Sequence, residues 1–347
     1  MQETKATAAT TAKGFTRPEI SVVVPVFNEQ ENIRALANRL VGVLTPAVQS
    51  FEVIFVDDGS RDATLLALKE MNAGDARVSS VVLSRNFGKE VAIAAGLDAA
   101  RGDAVVIMDA DLQHPPEVIP SFIAKWREGY RNVYGERIDR AHDSQVRRFF
   151  AKRFYKLFEA FGEIALPPGA GDFRLLDRQA VVALQAMGER ARFSKGLYSW
   201  IGFKSVGVPF DVAPRAAGQS KFSYRKLTRF ALDGLMSFSS LPLRVWTYVG
   251  TAISSFALSM ALYFLIETLI YGARAPGFPS LIVSLLFFAG VQLMSLGILG
   301  EYIGRIFSEV KRRPLYLVAE RIGLQGEPLR AEHGLTNPLP MRLRTGD

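Results

Sequence analysis

Two aspartates set one residue apart, Asp109 and Asp111, close the apolar run in the stretch "VVIMDADLQHPPEVIP". Side chains at i and i+2 of an extended segment point to the same side, so both carboxylates can approach a single ion. Ligands that are all oxygen favour Mg2+ or Mn2+, with water and substrate phosphates filling the remaining positions. A cation held this way would bridge a diphosphate and neutralise the charge that builds on it as it departs. A solvated acidic loop has the same signature, so the neighbouring residues must decide.

They supply three more polar clusters, each behind an apolar run: "PVFNE", "VDDGS" and "SRNFGK". Asp57 and Asp58 in the second could accept from a base N–H or a ribose hydroxyl, or Asp58 could cap the following helix. No G-x-G-x-x-G follows the first run and no G-x-x-x-x-G-K-[ST] occurs, which disfavours a dinucleotide site and a P-loop. The chain has three histidines, none in a helical pair, and no cysteine, which disfavours zinc at His114 or His142. His114 is expected to shape the turn before Pro115.

The elements that must position these residues follow from periodicity. Short apolar runs at 20–27, 51–56, 78–83 and 104–108 alternate with helical patterns at 29–44, 63–71, 90–100 and 116–128. Alternation with connections of this length predicts an α/β fold, a mostly parallel sheet flanked by helices. Ligands of such sheets gather beyond the carboxyl ends of the strands, where all four polar clusters fall.

Apolar residues are unevenly spread along the 347 positions and crowd the region 241–307. Two segments there, 245–271 and 278–303, exceed the roughly 20 residues that a helix needs to cross a bilayer. Lys221, Arg225, Lys226, Arg229 and Arg244 precede them, Arg305, Lys311, Arg312 and Arg313 follow, and the connection carries only Arg274. That asymmetry predicts both ends and the globular domain on the cytoplasmic side of a cell membrane. The stretch 221–242 reads as an amphipathic helix lying in the membrane interface, or alternatively covering the domain core. Residues 1–17 are expected to form a disordered tail, 18–220 the catalytic domain, 243–307 the two spans, and 308–347 a cytoplasmic tail. The net charge of +8 gathers at 137–153, 215–229 and 311–313, which suits phosphates or an anionic membrane surface. No nucleic-acid-binding module accompanies it.

Taken together, "PVFNEQENI", "VDDGSRDAT", "SRNFGKEVAIAAGLDAARGDAVVIMDADLQHPPE", "GDFRLLDR", "RAAGQSKFSYRKL" and "LGEYIGRIFSEVKRRPLY" resemble the family 2 glycosyltransferases of the GT-A, Rossmann-like fold. They are most similar to the membrane-bound polyprenyl-phosphate glycosyltransferases, and the carboxyl-terminal part matches the bacterial two-span branch that glycosylates undecaprenyl phosphate. The resemblance implies that Pro25, Glu29, Asp57 and Asp58 line a nucleotide pocket with Arg85 and Lys89 nearby. It places the metal on Asp109 and Asp111 and turns Gln113 toward the sugar diphosphate. Arg137, in "YGERIDR", takes the position of an arginine that grips the acceptor phosphate. Arg148 or its neighbour Arg147 is a second such group, and Arg147, Arg148 and Lys152 could equally be a basic helix face touching lipid headgroups. Arg215 and Lys221 correspond to a loop that closes over the diphosphate. Relatives form tetramers, which implies a homo-oligomer; Glu301 and Arg305, one turn apart, could sit at a helix–helix contact.

An acceptor that is a lipid phosphate is already an anion and needs no strong base; catalysis is then alignment and charge neutralisation. A hydroxyl acceptor needs a carboxylate to take its proton. Asp172, in "GAGDFRLL", is the best candidate for that base, and orienting the acceptor loop is its other role. The expected activity is therefore transfer of a hexose from a nucleotide-diphosphate sugar, UDP-glucose first, to a polyprenyl phosphate at the cytoplasmic membrane face. Transfer to a lipid hydroxyl, polysaccharide synthesis, and a non-catalytic nucleotide-sugar-binding protein are the competing expectations.

Overall fold

β1 (Ile20–Val26) reads ISVVVPV and is buried along nearly all its length. A run of β-branched residues covered on both faces belongs at the centre of a parallel sheet. In the computed structural model, which describes residues 17–137, 170–189, 194–211, 241–271 and 277–324 apart from some side chains of the two last helices, it does. β2 (Phe51–Asp57) and β4 (Ala104–Ile107) flank β1 in parallel, and β3 (Val78–Leu83) lies parallel beyond β2. The chain thus runs outward from β1 to β3 and returns to the other side of β1 with β4. That reversal opens a crevice at the carboxyl ends of β1 and β4.

Helices α1 (Ile33–Leu44), α2 (Thr64–Gly74) and α3 (Lys89–Ala99) make the crossovers, and α4 (Ile119–Arg127) follows β4 after a short 3-10 turn, Pro116–Val118. Helix α1 starts four residues later than its pattern suggests, because the Glu29 carbonyl accepts from the N–H groups of Asn32 and Ile33 and makes 29–32 a turn. Alternate strand residues feed two cores: Val22, Val24, Val53 and Phe55 face α1 and α4 with Leu36, Leu40 and Phe122, whereas Val23, Ile54 and Val56 face α3 with Ala92, Ile93 and Ala95.

The rest of the sheet is mixed. β5 (Asn132–Arg137), β6 (Ala170–Asp177), helices α5 (Arg178–Ala186) and α6 (Ser194–Trp200), and β7 (Ser205–Phe210) complete one flank and a late strand, β8 (Val318–Ile322), the other, in the order β7-β5-β6-β4-β1-β2-β3-β8. β6 runs antiparallel to both β4 and β5. Its beginning therefore lies at the same edge as the ends of β4 and β5.

Helices α7 (Leu241–Tyr271) and α8 (Phe278–Val310) cover the two long apolar segments. Among the described residues one stretch, Phe287–Val310 with mean hydropathy 1.3 and no burial against the chain, is long and apolar enough to cross a membrane. β8 (Val318–Ile322) then pairs antiparallel with β3. This corrects the expected tail from 308 onward: Tyr316 is 1% exposed and its hydroxyl donates to Asp98 Oδ2 at 2.8 Å, and Lys69 pairs with Glu320 at 2.8 Å.

Helix α3 lies so close to the sheet that Gly96 has no room for a side chain: a Cβ there would overlap Val23 Cγ1 and reach Val56 Cγ2 at 3.0 Å. Gly96→Ala should lower stability by about 1–3 kcal/mol, the usual cost of overpacking, despite alanine's better helix propensity. A thermal or urea melt checks this.

Candidate active site

Each polar cluster occupies the edge where β1, β2, β3 and β4 end. After β1, Pro25 is half-buried, and Asn28 turns the chain with φ 56°. Asn28 and Glu29 accept their places from the next crossover: their N–H groups donate to Ser60 Oγ at 2.9 Å and Thr64 Oγ1 at 3.0 Å. After β2, Asp57 and Asp58 are buried, and burial pushes both carboxyls up, opposed by hydrogen bonds to each. Asp57 accepts from the Ser60 N–H at 3.0 Å.

Asp58 does not cap α2. Its two oxygens accept from the N–H groups of Phe87 at 2.7 Å and Gly88 at 2.9 Å, so it holds the loop that leads into α3. Gly59, at φ 70°, lets that loop approach: a Cβ would lie 2.6 Å from the Arg85 carbonyl carbon. Arg85 is exposed and stacks its guanidinium carbon 4.0 Å over the Phe87 ring. Asp58→Ala should cost about 1–3 kcal/mol, since two half-buried N–H groups lose a charged acceptor. Asp58→Asn, which keeps one acceptor oxygen, should cost less; thermal melts of the pair check the order.

Lys89 opens α3 and reaches inward. Its ammonium lies 2.6 Å from Asp109 Oδ1 and 2.8 Å from Asp172 Oδ2. The register of β4 against β6 pairs Ile107 with Arg174, and continuing it past the strand end brings Asp109 abreast of Asp172. Burial alone would lower Lys89 and raise Asp172; the attraction between them, with Asp109, Lys195 and Arg174 contributing, outweighs burial on both sides. Lys89 is held firmly charged and Asp172 well below the usual carboxylate range. A carboxylate held that low, with one oxygen on a lysine, is a weak proton acceptor.

Around Asp109 the loop is tightly specified. Its N–H donates to His114 Nδ1 at 3.3 Å, and the His114 ring stacks on Phe173 with centroids 4.9 Å apart. Burial pushes His114 down, which suits a ring nitrogen that accepts the Asp109 N–H across this turn. Leu112 takes φ 60°, and the Gln113 N–H donates to Asp111 Oδ1 at 3.2 Å. Among the described residues no group of three or more His, Cys, Asp or Glu gathers for a metal. Two carboxylates nonetheless suit a hard cation that takes its other oxygens from water and phosphates.

Arg137 ends β5 at the same edge and is exposed. Arg147, Arg148, Lys152, Arg215 and Lys221 lie outside the described residues, as do the stretch 221–240 and the side chains of Glu301 and Arg305. Sequence reasoning did not single out Glu90, Arg174, Lys195 or Tyr198, all of which stand around Asp172. Only the acidic and basic letters inside "FGKE" and "GDFR" hinted at two of them.

The profile of Glycosyl transferase family 2 matches residues 21–184. A protein of Synechocystis sp. described as an uncharacterized glycosyltransferase is 50% identical over 311 residues, covering 90% of this chain and 98% of that one. The bactoprenol glucosyl transferase of Shigella phage SfII is 44% identical over 300 residues, covering 86% and 97%. Among solved structures, a mannosyltransferase of Pyrobaculum calidifontis in complex with GDP-Man and Mn2+ shows a loose likeness, with a TM-score of 0.43 at 17% identity over 85% of this chain and 88% of that one. With a GT-A-like sheet, an acid pair at its crevice and relatives aligned along nearly their whole length, the chain belongs to glycosyl transferase family 2.

Proposed function

We propose that the protein transfers glucose from UDP-glucose to a polyprenyl phosphate, such as undecaprenyl phosphate, at the cytoplasmic face of a membrane. The observation that carries this reading is the acid pair Asp109–Asp111 at the crevice between β1 and β4, with the Lys89 ammonium joining Asp109 to Asp172. The names of relatives that align along 97–98% of their length, bactoprenol glucosyl transferases, support both sugar and lipid.

Asp109 and Asp111 would hold Mg2+ or Mn2+, which supplies charge neutralisation at the diphosphate when bound. Pro25, Glu29, Asp57, Asp58 and Arg85 border the nucleotide, and Gln113 borders the sugar diphosphate. Arg137, with Arg147, Arg148 and Lys152, orients the anionic acceptor oxygen in line with the anomeric carbon. Arg215 and Lys221 cover the diphosphate, so that water is excluded while the bond to the leaving group breaks. The attacking oxygen is an anion from the start. The Lys89-bound, buried Asp172 accordingly positions and does not deprotonate, which favours a phosphate acceptor over a hydroxyl. Helices α7 and α8 cross the bilayer as a pair, with 221–242 in the interface and both ends cytoplasmic, and copies assemble as a homo-oligomer.

The test is incubation of the full chain with undecaprenyl phosphate and labelled nucleotide sugars, including UDP-galactose and GDP-mannose, with Mg2+ or Mn2+. A glucolipid from UDP-glucose is expected. No glycolipid from any donor sinks the reading, and a polymer product would replace it with polysaccharide synthesis.

A further inference from the structure

Beside Asp172 lies a polar contact that the transfer reading leaves without a task. Glu90, in the first turn of α3, accepts a hydrogen bond from Ser194 Oγ at the start of α6. Lys89 from α3, Asp172 and Arg174 from β6, and Lys195 and Tyr198 from α6 face this contact. The Arg174 guanidinium lies 3.7 Å over the Tyr198 ring and donates to the Gly171 carbonyl and, at 3.4 Å, to Asn132 Oδ1. Three atoms of the group, Asp172 Oδ1, Arg174 Nε and the Tyr198 hydroxyl, are buried without a hydrogen-bond partner among the described residues. The hydroxyl lies beside Ser194 without the alignment of a bond. A network with such gaps is not locked by its own bonds, so a link between elements decides where it sits.

We propose that Glu90 is a positioning residue for sugar transfer: by holding Ser194 it seats α6 against β6, and so fixes Asp172 and the lysine that Asp172 shares with Asp109. This deepens the proposed function and rests on it. Three elements carry the parts of the centre, α3 with Lys89, β6 with Asp172, and α6 with Lys195 and Tyr198, and the Glu90–Ser194 contact joins the first to the third. A shift of about an ångström in such a frame is enough to cost orders of magnitude in rate.

The charge of the joint adds a signature that packing alone would lack. Burial, then the Asp172 charge, pushes the Glu90 carboxyl up to about 7, against the pull of Ser194, Lys89 and Lys195. A carboxyl raised in the fold binds its proton more tightly there than in the unfolded chain. Its contribution to stability is therefore greatest in acid and declines as pH climbs from about 4.5 to about 7.

The experiment compares the full wild-type chain with Glu90→Gln, Glu90→Ala and Ser194→Ala, in glucolipid synthesis and in thermal melts without substrate, across the neutral range. Glu90→Ala should lower kcat about 10- to 100-fold with donor KM within about threefold, and Ser194→Ala should shift in the same direction. Glu90→Gln still accepts from Ser194 and should keep most of kcat, but lose the wild-type dependence on pH near neutrality. In melts, the Gln variant should gain on wild type as pH rises. A kcat for Glu90→Ala within about twofold of wild type, or Gln profiles that superpose on wild type, overturns the inference. Should Glu90→Ala fail to fold, the Gln profiles decide alone. Failure of the proposed function shows differently, as a wild type that makes no glycolipid, and the melts then still test the Glu90 joint.

Discussion

Asp111→Asn should leave a folded chain whose glucolipid synthesis falls about 10²- to 10³-fold, the usual loss when one preorganised electrostatic group is removed from a reaction centre. The substitution is close to isosteric. Asparagine keeps an oxygen to accept the Gln113 N–H that now bonds Asp111 Oδ1 at 3.2 Å, so the turn through Leu112 at φ 60° survives. What it loses is a negative charge of the acid pair proposed to hold the metal. Initial rates at saturating Mn2+ or Mg2+, with a thermal midpoint for each chain, measure both effects. An unchanged midpoint with a rate within tenfold of wild type would remove the metal from this position. Chelation of the wild type should mimic the variant, and added Mn2+ or Mg2+ should reverse it.

Lys89→Met should damage both stability and activity, because one ammonium answers two carboxylates. Asp172 keeps only 12% of its side-chain surface accessible and Asp109 28%, whereas Lys89 keeps 42%. Orphaning a fully buried partner costs about 3–5 kcal/mol, and solvent at the lysine reduces that here to about 1–3 kcal/mol. The pH dependence follows from the sign of the shift. Asp172 is held below its ordinary value, so its pairing stabilises the fold above the usual carboxylate range and is lost as acid protonates it. Lys89→Met should therefore lose most against wild type at neutral pH, and the two chains should converge in acid. Melts at several pH values check this, and a variant equally weakened at all pH values would assign the lysine to packing.

Much of this centre was legible in sequence, because its parts sit at strand ends that alternation alone locates. The four parallel strands and the acids after β2 and β4 needed only short apolar runs and the loops that close them. Pairing across long separations was not legible. Nothing in "GDFRLLD" announces that β6 runs against β4, and that direction is what brings Asp172 abreast of Asp109. Asp58 read either as a nucleotide contact or as a local helix cap, and nothing nearby in sequence shows that its oxygens serve N–H groups 29 and 30 residues away. Glu90 and Ser194 are 104 residues apart, and neither carries a periodic signal. β8, VAERI, is short, holds two charges and follows an apolar helix, so it resembled the start of a tail.

That late strand has a consequence for how the protein is born. β3 receives its outer neighbour only after α7 and α8 have been made. On the ribosome, the row of N–H and C=O groups along β3 therefore stays open while both apolar helices emerge, and an open row recruits stray strands from other chains. The sheet closes on this side when the chain doubles back and Tyr316 slots in beside Asp98. A nascent chain whose long helices go astray has no means of handing that last strand home, so faulty delivery of the helices is written into the enzyme as an unfinished sheet.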